Sequence, residues 1–162
     1  MNKKLHLIRH SYAEDPNGKR DIERTLTLEG QSTVRALGRY LINHQFNPDK
    51  IICSTAIRTR ETALNLIEEL EMNERVVEYK EVVYNASLRE LLAVLNELPE
   101  DYKEIAIIGH NPTITFFGEY LSNAIIGNMS PAGVVTIKFE KLKWNEVSQG
   151  SGIFDNYYHP NH

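Results

Sequence analysis

The sequence predicts one domain of the α/β class over residues 1–162, with helix layers on either side of a mainly parallel sheet. Short aliphatic segments alternate with helical patterns along the chain, and this order is typical of parallel strands joined by helical crossovers. The 162 residues are 41% hydrophobic and 25% charged, a composition that suits one domain with a single sizeable core. No internal repeat or low-complexity segment interrupts this order.

The strands are predicted from short segments rich in β-branched or aliphatic residues, which is the composition of buried strands. The last of them, VVTIKF, follows a Ser-Pro-Ala-Gly turn signal. The predicted strands cover residues 5–9, 51–53, 76–79, 104–108 and 134–139. Beyond them, residues 145–162 are rich in Gly, Asn, Ser and aromatic side chains without a clear period, so we expect an irregular C-terminal tail.

The helices are predicted from apolar stripes and end signals between these strands. The first two patterns place their aliphatic side chains on one face. The third begins with a capping box, and the fourth begins at a proline, a residue well suited to a first helical turn. The predicted helices cover residues 29–45, 57–70, 87–98 and 112–122. A long polar loop, residues 12–29, separates the first strand from the first helix, and long loops of this kind are often functional.

The charge balance and the apolar content exclude several classes of partner. Eighteen basic and twenty-two acidic side chains give a formal charge of −4, which provides no overall field to attract nucleic acid or an anionic membrane surface. The apolar run before Arg9 is too short for a signal peptide, and no segment approaches the roughly 20 apolar residues of a spanning helix. We therefore expect a cytoplasmic protein that contacts neither nucleic acid nor membrane.

Two of the predicted strands are followed by a histidine. Arg9 and His10 follow the first strand, and His110 lies in the sequence Gly-His-Asn-Pro between the fourth strand and a helix. Ligands of open α/β sheets bind at the carboxyl ends of the strands. If these two strands are neighbours, both imidazoles face one crevice, whereas either histidine alone is more simply explained as a structural residue.

Two further arginines lie at positions that suit an anion-binding site. Arg58 lies in the first turn of the second predicted helix, where a cation is unfavourable unless an anion meets it, although pairing with a nearby glutamate would also explain it. Arg24 ends the long loop and has no evident structural reason. Guanidinium groups match phosphate oxygens in geometry and keep their charge, and imidazole is a competent nucleophile toward phosphorus near neutral pH. These side chains therefore predict a phosphate site.

Four motifs that carry these residues resemble the histidine phosphatase superfamily, and the likeness is greatest to its small SixA-type phosphohistidine phosphatases. The motifs occur in the order and spacing of that family and extend over most of the chain. They are LIRHSYA at 7–13, RTLTLEG at 24–30, STAIRTRETA at 54–63 and IIGHNP at 107–112. The resemblance implies a three-layer α/β/α sandwich with one antiparallel edge strand and no metal or other cofactor.

The resemblance also implies a role for each site residue. His10 becomes phosphorylated, while Arg9, Arg58 and His110 hold the phosphoryl oxygens. Arg24 matches a further arginine that faces the phosphate in this subgroup. The choice of His10 over His110 as nucleophile comes from the family alone. The implied substrate is a phosphorylated molecule, and a phosphohistidine-bearing protein in particular, because the chain lacks long insertions that would cover the crevice.

This sequence departs from the family pattern after the first histidine, and it offers no evident general acid. Ser11 stands where the family usually has glycine, and we expect it beside the phosphate, with its carbonyl orienting the His10 imidazole. Enzymes that cleave phosphate esters usually supply a carboxylic acid to the leaving oxygen. Here the candidates are Glu78 and Glu81, and for Glu81 an exposed carboxylate is the simpler interpretation. A phosphorus–nitrogen bond to imidazole needs less acid assistance.

Three other functions remain open at this point. One is a small-molecule phosphomonoesterase or mutase of the same superfamily, and another is a phosphate or phosphopeptide binder without turnover. The third is metal binding, which the spacing disfavours. His6 and His10 would lie about 13 Å apart along a strand, and His159 and His162 belong to a polar tail. Cys53, the only cysteine, excludes an internal disulfide and a multi-cysteine site, and we expect it in the core.

Overall fold

Strand β1 (Lys3–Arg9) lies inside a six-stranded sheet, and its two neighbours come from distant parts of the chain. The computed structural model describes residues 2–160. The other strands are β2 (Lys50–Cys53), β3 (Val77–Tyr79), β4 (Glu104–Gly109), β5 (Val134–Phe139) and β6 (Ile153–Tyr158). Their order is β3-β2-β4-β1-β5-β6, and the first four in this order are mutually parallel.

Four helices cover the two faces of this sheet. They are α1 (Leu28–Ile42), α2 (Ile57–Leu70), α3 (Leu88–Asn96) and α4 (Thr113–Ser122). Side chains of β1 alternate between the faces, so Leu5 and Leu7 pack with α3 and α4, while Ile8 packs with α1 and α2. The predicted α/β fold with helix layers on both sides of the sheet is confirmed. No helix within residues 2–160 is long and apolar enough to cross a membrane.

The helices begin where the sequence signals place them. Thr27 caps α1 by accepting a hydrogen bond from the Gly30 amide at 2.9 Å. The predicted capping box of α3 is confirmed, since Ser87 and Glu90 each accept from the backbone amide of the other. Helix α4 begins one residue after Pro112. These starts fix the loops at the carboxyl ends of the parallel strands.

Two details of the prediction are wrong. Residues 145–162 were expected to be irregular, but Ile153–Tyr158 form β6, which pairs antiparallel with β5. Strand β5 is antiparallel to β1, but it is not an edge strand because β6 covers its outer side. The side chains of β6 are mostly exposed, so its sequence carries no apolar alternation that would reveal a strand.

The long polar loop is a folded excursion. Its two ends pair through a bridge between Ala13 and Leu26 and through a 2.8 Å hydrogen bond from the Glu14 amide to the Thr25 carbonyl. A short 3-10 turn, Asp21–Glu23, lies near its far end and contacts α2. The loop is therefore held over the N-terminus of α2, next to the strand ends.

Candidate active site

The carboxyl ends of β1, β4 and β2 meet at one crevice. The parallel register pairs Arg9 with Gly109, so His10 and His110 leave neighbouring strands at the same level. Their ring centroids lie 5.4 Å apart. On the other side of β4, Ser54 follows β2 at the level of Gly109, and its hydroxyl reaches the His110 ring. The structure thus brings both predicted histidines together, as neighbouring strands require.

His10 is oriented by the backbone of the next residue. Its Nδ1 lies 2.7 Å from the Ser11 carbonyl oxygen. Because a carbonyl oxygen only accepts, Nδ1 carries the proton and Nε2 is left with a free lone pair. Burial lowers the pKa of His10 to about 4, helped by the nearby charges of Arg58, Arg9 and Arg24 and opposed by the Ser11 bond. The imidazole is therefore neutral at physiological pH.

His110 is held in the opposite tautomer. The Arg58 guanidinium, which can only donate, lies 3.4 Å from Nδ1 of His110. Nε2 of His110 lies 2.8 Å from the Ser54 hydroxyl oxygen. Nδ1 is thus the acceptor, and Nε2–H donates to Ser54. Burial lowers the pKa of His110 to about 3, and repulsion from Arg58 and from His10 in its protonated form acts in the same direction. His110 is also neutral at physiological pH.

Arg58 extends from the first turn of α2 into the crevice and is only 6% exposed. Its Nη1 donates to the Asp21 carbonyl oxygen at 2.7 Å, and its Nη2 donates to the Asp21 carboxylate at 3.0 Å. Its Nε is buried without a hydrogen-bond partner among the described residues. A buried donor without an acceptor is costly, so this nitrogen is suited to an anionic ligand.

The other two predicted arginines are anchored in a similar way. Arg9 donates through Nη1 to the Met129 carbonyl oxygen at 2.7 Å, and its Nε is also buried without a partner within residues 2–160. Arg24 donates through Nε to the Glu14 carbonyl oxygen at 2.8 Å and through Nη1 to Asp21 at 3.1 Å. The structure therefore fixes part of each guanidinium and leaves unpaired nitrogens on Arg9 and Arg58. This pattern fits a tetrahedral oxyanion.

Two residues of the crevice were missed by sequence reasoning. Asp21 accepts from Arg58 and Arg24, and the Tyr84 hydroxyl donates to its carboxylate at 2.6 Å. The hydrogen bonds from Tyr84 and the two arginines hold the pKa of Asp21 well below its usual range, despite some burial. The same bond raises the pKa of Tyr84. The spacing of three between Asp21 and Arg24 was the one signal in the sequence.

Ser11 requires a correction. It is completely buried, its hydroxyl donates to the Gly30 carbonyl oxygen at 2.8 Å, and its amide donates to Thr62 at 3.1 Å. Its side chain is therefore turned into the fold and not toward a phosphate. The expected orientation of His10 by the Ser11 carbonyl is confirmed. Serine is tolerated because this position does not have the positive φ that would demand glycine.

The carboxylates considered as general acids lie away from these contacts. Glu81 is exposed at the start of a short 3-10 turn, and its carboxylate makes no hydrogen bond or ion pair with residues 2–160. Glu78 pairs with Lys80 at 2.9 Å. From the same loop it is Tyr84 that reaches the crevice, with its ring nearly perpendicular to the His110 ring and the two ring centroids 5.5 Å apart.

The other residues considered for metal or thiol chemistry are hydrogen-bonded or buried within the fold. His6 contacts Glu104 at 2.9 Å and Thr136 at 3.0 Å, between β4 and β5. Cys53 is buried, as predicted, and burial raises its pKa to about 12. The described part of the chain holds no group of three or more histidine, cysteine, aspartate or glutamate residues placed for a metal ion. His162 lies outside the described residues.

This chain is similar to known proteins in sequence and in fold. The family model of the histidine phosphatase superfamily (branch 1) matches residues 5–92, more than half of the chain. An uncharacterized protein of Mycobacterium tuberculosis strain H37Rv is 24% identical over 162 residues, covering 94% of this chain and 99% of its own.

Solved structures of related proteins resemble the whole chain. A protein of Nakamurella multipartitia, assigned as the phosphohistidine phosphatase SixA, is 26% identical with a TM-score of 0.82, covering 99% of this chain and 97% of its own. The protein histidine phosphatase SixA in complex with tungstate has a TM-score of 0.81 at 18% identity, covering 96% of each chain. At 18% identity, the second likeness concerns the fold alone.

Proposed function

Because this chain belongs to the histidine phosphatase superfamily, branch 1, we propose that it is a phosphohistidine phosphatase that works through a phosphorylated His10. In this proposal, the Nε2 lone pair of His10 attacks phosphorus and the bond from phosphorus to the leaving nitrogen breaks, with its electron pair passing to that nitrogen. A proton on the other ring nitrogen of the substrate imidazole lets it leave as a neutral ring. Water then hydrolyses phosphorylated His10, which releases phosphate and restores the free imidazole.

The observation that carries this proposal is the state of His10. Its proton is directed to the Ser11 carbonyl and its pKa is lowered to about 4, so Nε2 is an available nucleophile at neutral pH. The charged donors around it would stabilise the phosphoryl group during transfer. We assign that role to Arg9, Arg24 and Arg58. His110 would join them in its protonated form, which the charge of a bound phosphoryl group favours, because its one N–H donates to Ser54 while the ring is neutral.

The substrate class follows from the carboxylates of the crevice. Asp21 is the one carboxylate within the described residues that contacts the arginine cluster, and its low pKa keeps it ionised, so it is a poor proton donor. Glu81 is exposed and lacks contacts to the site. An alkyl ester would need an acid that this arrangement does not supply, whereas a phosphorus–nitrogen bond to imidazole needs less assistance. A phosphohistidine on a protein is therefore the proposed substrate.

The proposal extends to conditions and location. The five site residues provide nucleophile and charge stabilisation from the chain itself, so we propose that turnover requires no metal ion or other cofactor. We also propose that the protein acts in the cytoplasm on a phosphohistidine-bearing protein and binds neither nucleic acid nor membrane. Its formal charge of −4 supports the last two points.

The test is phosphate release, in EDTA, from a phosphohistidine peptide and from an aryl phosphate. We expect turnover of the peptide to be faster and to vanish in His10→Ala, because no other group would accept the phosphoryl. His44→Ala is the matched control, since His44 is exposed and contacts the Tyr40 carbonyl far from the cluster.

Each alternative result has a distinct meaning. Faster turnover of the aryl ester would overturn the substrate class and favour a small-molecule phosphomonoesterase. Near-normal activity in His10→Ala would overturn the mechanism. No His10-dependent release from either compound would favour a binding module without turnover.

A further inference from the structure

Asp21 lies between Arg58 and Arg24 of the crevice although it carries a negative charge, and its side chain is half-exposed. Its carboxylate accepts from Arg58 at 3.0 Å, from Arg24 at 3.1 Å and from the Tyr84 hydroxyl at 2.6 Å. An anion at this place either competes with a phosphoryl group or holds the arginines in position for it. The contacts of Arg58 distinguish these two roles.

Asp21 contacts Arg58 at the end of the guanidinium. The Asp21 carbonyl oxygen accepts from Nη1, and its carboxylate accepts from Nη2. Nε is left without a partner among the described residues, and Nη2 lies 3.4 Å from Nδ1 of His110. Nε and Nη2 lie along the second edge of the guanidinium, where Nε–H has no partner among the described residues and Nη2 faces the His110 ring. This edge lies on the side of the histidines, so Asp21 can stay in place while a phosphoryl group is bound.

The loop that carries Asp21 is itself anchored. The Leu26 amide donates to the Glu61 carboxylate of α2 at 2.7 Å, and the Thr27 amide donates to the Tyr12 carbonyl at 3.0 Å. Tyr84 ties Asp21 to the loop after β3. The carboxylate thus connects three separate segments around the crevice. Such an arrangement fixes side chains in place and does not suit a group that a bound phosphoryl would displace.

We propose that Asp21 is a positioning residue that fixes Arg58, and secondarily Arg24, in the orientation required for phosphoryl transfer, with Tyr84 supporting the carboxylate. This inference rests on the proposed phosphatase function. Long arginine side chains lose rotamer freedom when they bind, and an arginine that is already fixed avoids this loss during the reaction. Asp21 acts through Arg58 and does not contact the substrate.

The test is binding of orthovanadate, which adopts the geometry of a phosphoryl group in transfer. Asp21→Asn removes a negative charge and keeps the shape. If Asp21 positions Arg58, the variant binds vanadate about ten- to a hundredfold more weakly despite the gain in positive charge. In the aryl phosphate assay, kcat falls more than KM changes, because the loss concerns the transition state.

Glu23→Gln is the matched control. Glu23 lies in the same turn but contacts only the exposed Arg20 among the described residues, so its substitution removes the same charge without touching Arg58. We expect vanadate binding within about twofold of the unmodified protein, as for a solvent-exposed charge. Thermal unfolding of each variant verifies that it is folded. Should Asp21→Asn fail to fold, Tyr84→Phe removes the single hydroxyl that supports the Asp21 carboxylate. It should weaken vanadate binding in the same direction.

A second arm tests whether the effect passes through Arg58. In an Arg58→Ala background, Asp21→Asn should weaken vanadate binding much less than it does alone. A full additional loss would overturn the inference, as would unchanged binding in the single variant. Tighter binding in Asp21→Asn would identify a competing anion instead. Vanadate binding requires no turnover, so failure of the proposed phosphatase activity would be seen separately, in the peptide assay.

Discussion

The two histidines of the crevice are kept neutral by the same cause, burial beside arginines, but they carry their protons on opposite nitrogens. His10 donates through Nδ1 to a carbonyl oxygen, and His110 donates through Nε2 to a hydroxyl. The first arrangement leaves the Nε2 lone pair of His10 free, as the proposed nucleophile requires. The second leaves Nδ1 of His110 as an acceptor facing Arg58. One residue type thus supports two functions because the neighbouring acceptors differ.

These surroundings predict an unusual titration. Burial lowers the pKa of His10 to about 4 and that of His110 to about 3, so both should stay unprotonated from pH 8 down to about pH 5. A histidine with a lowered pKa gains its proton only as the pH falls through that lower value. Ring NMR titration, assigned with His10→Gln, measures this.

The two rings lie 5.4 Å apart, so the titration reports the pair and not each ring separately. Protonation of either ring near pH 6.5 would contradict the buried, arginine-flanked arrangement.

At the scale of elements, the start of α1 determines how close the loop after β1 can come. A Cβ on Gly30 would overlap the carbonyl oxygen of Tyr12, and the Gly30 carbonyl accepts from the Ser11 hydroxyl. The helix therefore rests directly on the backbone that follows His10. The carbonyl of Ser11 orients the His10 ring, so the packing of α1 against this loop affects the orientation of that ring through Ser11.

We expect Gly30→Ala to destabilise the protein and to impair catalysis together. The added methyl must push α1 away from Tyr12, and overpacking of this kind costs about 1–3 kcal/mol. Urea unfolding measures the loss, and kcat for the phosphohistidine peptide should fall because the Ser11 carbonyl shifts. Ser32→Ala, at an exposed position of the same helix, is the control. A variant as stable and active as the parent would show that the helix start adjusts freely.

The sequence predicts the parallel strands and four helices because their apolar periods and capping residues are local signals. It misses β6, whose side chains are mainly exposed and whose pairing with β5 depends on the rest of the sheet. Arg9, Arg24 and Arg58 could be identified as anion-binding candidates from their places after strands and loops. Their anchors could not, because Asp21 and Tyr84 meet across 63 residues of chain through the fold alone.

At the scale of the whole molecule, the crevice lies at one end of the sheet and a buried tryptophan lies at the other. The aromatic ring of Trp144 is completely buried beside the start of β1. The Lys3 Nζ lies over this ring, 5.5 Å from its centroid. Its indole nitrogen donates to the Tyr102 carbonyl oxygen at 2.9 Å. His10 follows the other end of β1. Stability at the Trp144 end and chemistry at the His10 end should therefore respond to different substitutions.

Trp144→Ala tests this separation. Removing a fully buried tryptophan costs about 3–5 kcal/mol through lost burial and the remaining cavity. Denaturant unfolding should show that loss, while kcat of the folded variant stays within about twofold of the parent because the variant leaves the crevice intact. A large fall in kcat without a comparable loss of stability would mean that the two ends are coupled.

The interior position of β1 has a consequence for how the protein is made. On the ribosome, the strand that carries His10 is translated well before β4 and β5, the two strands that flank it. A nascent chain therefore carries its nucleophile without the neighbouring histidine and with both edges of that strand unpaired. Such contacts between distant segments form late, and unpaired strand edges attract chaperones or aggregate. Unfinished translation products should therefore lack the assembled pair of histidines.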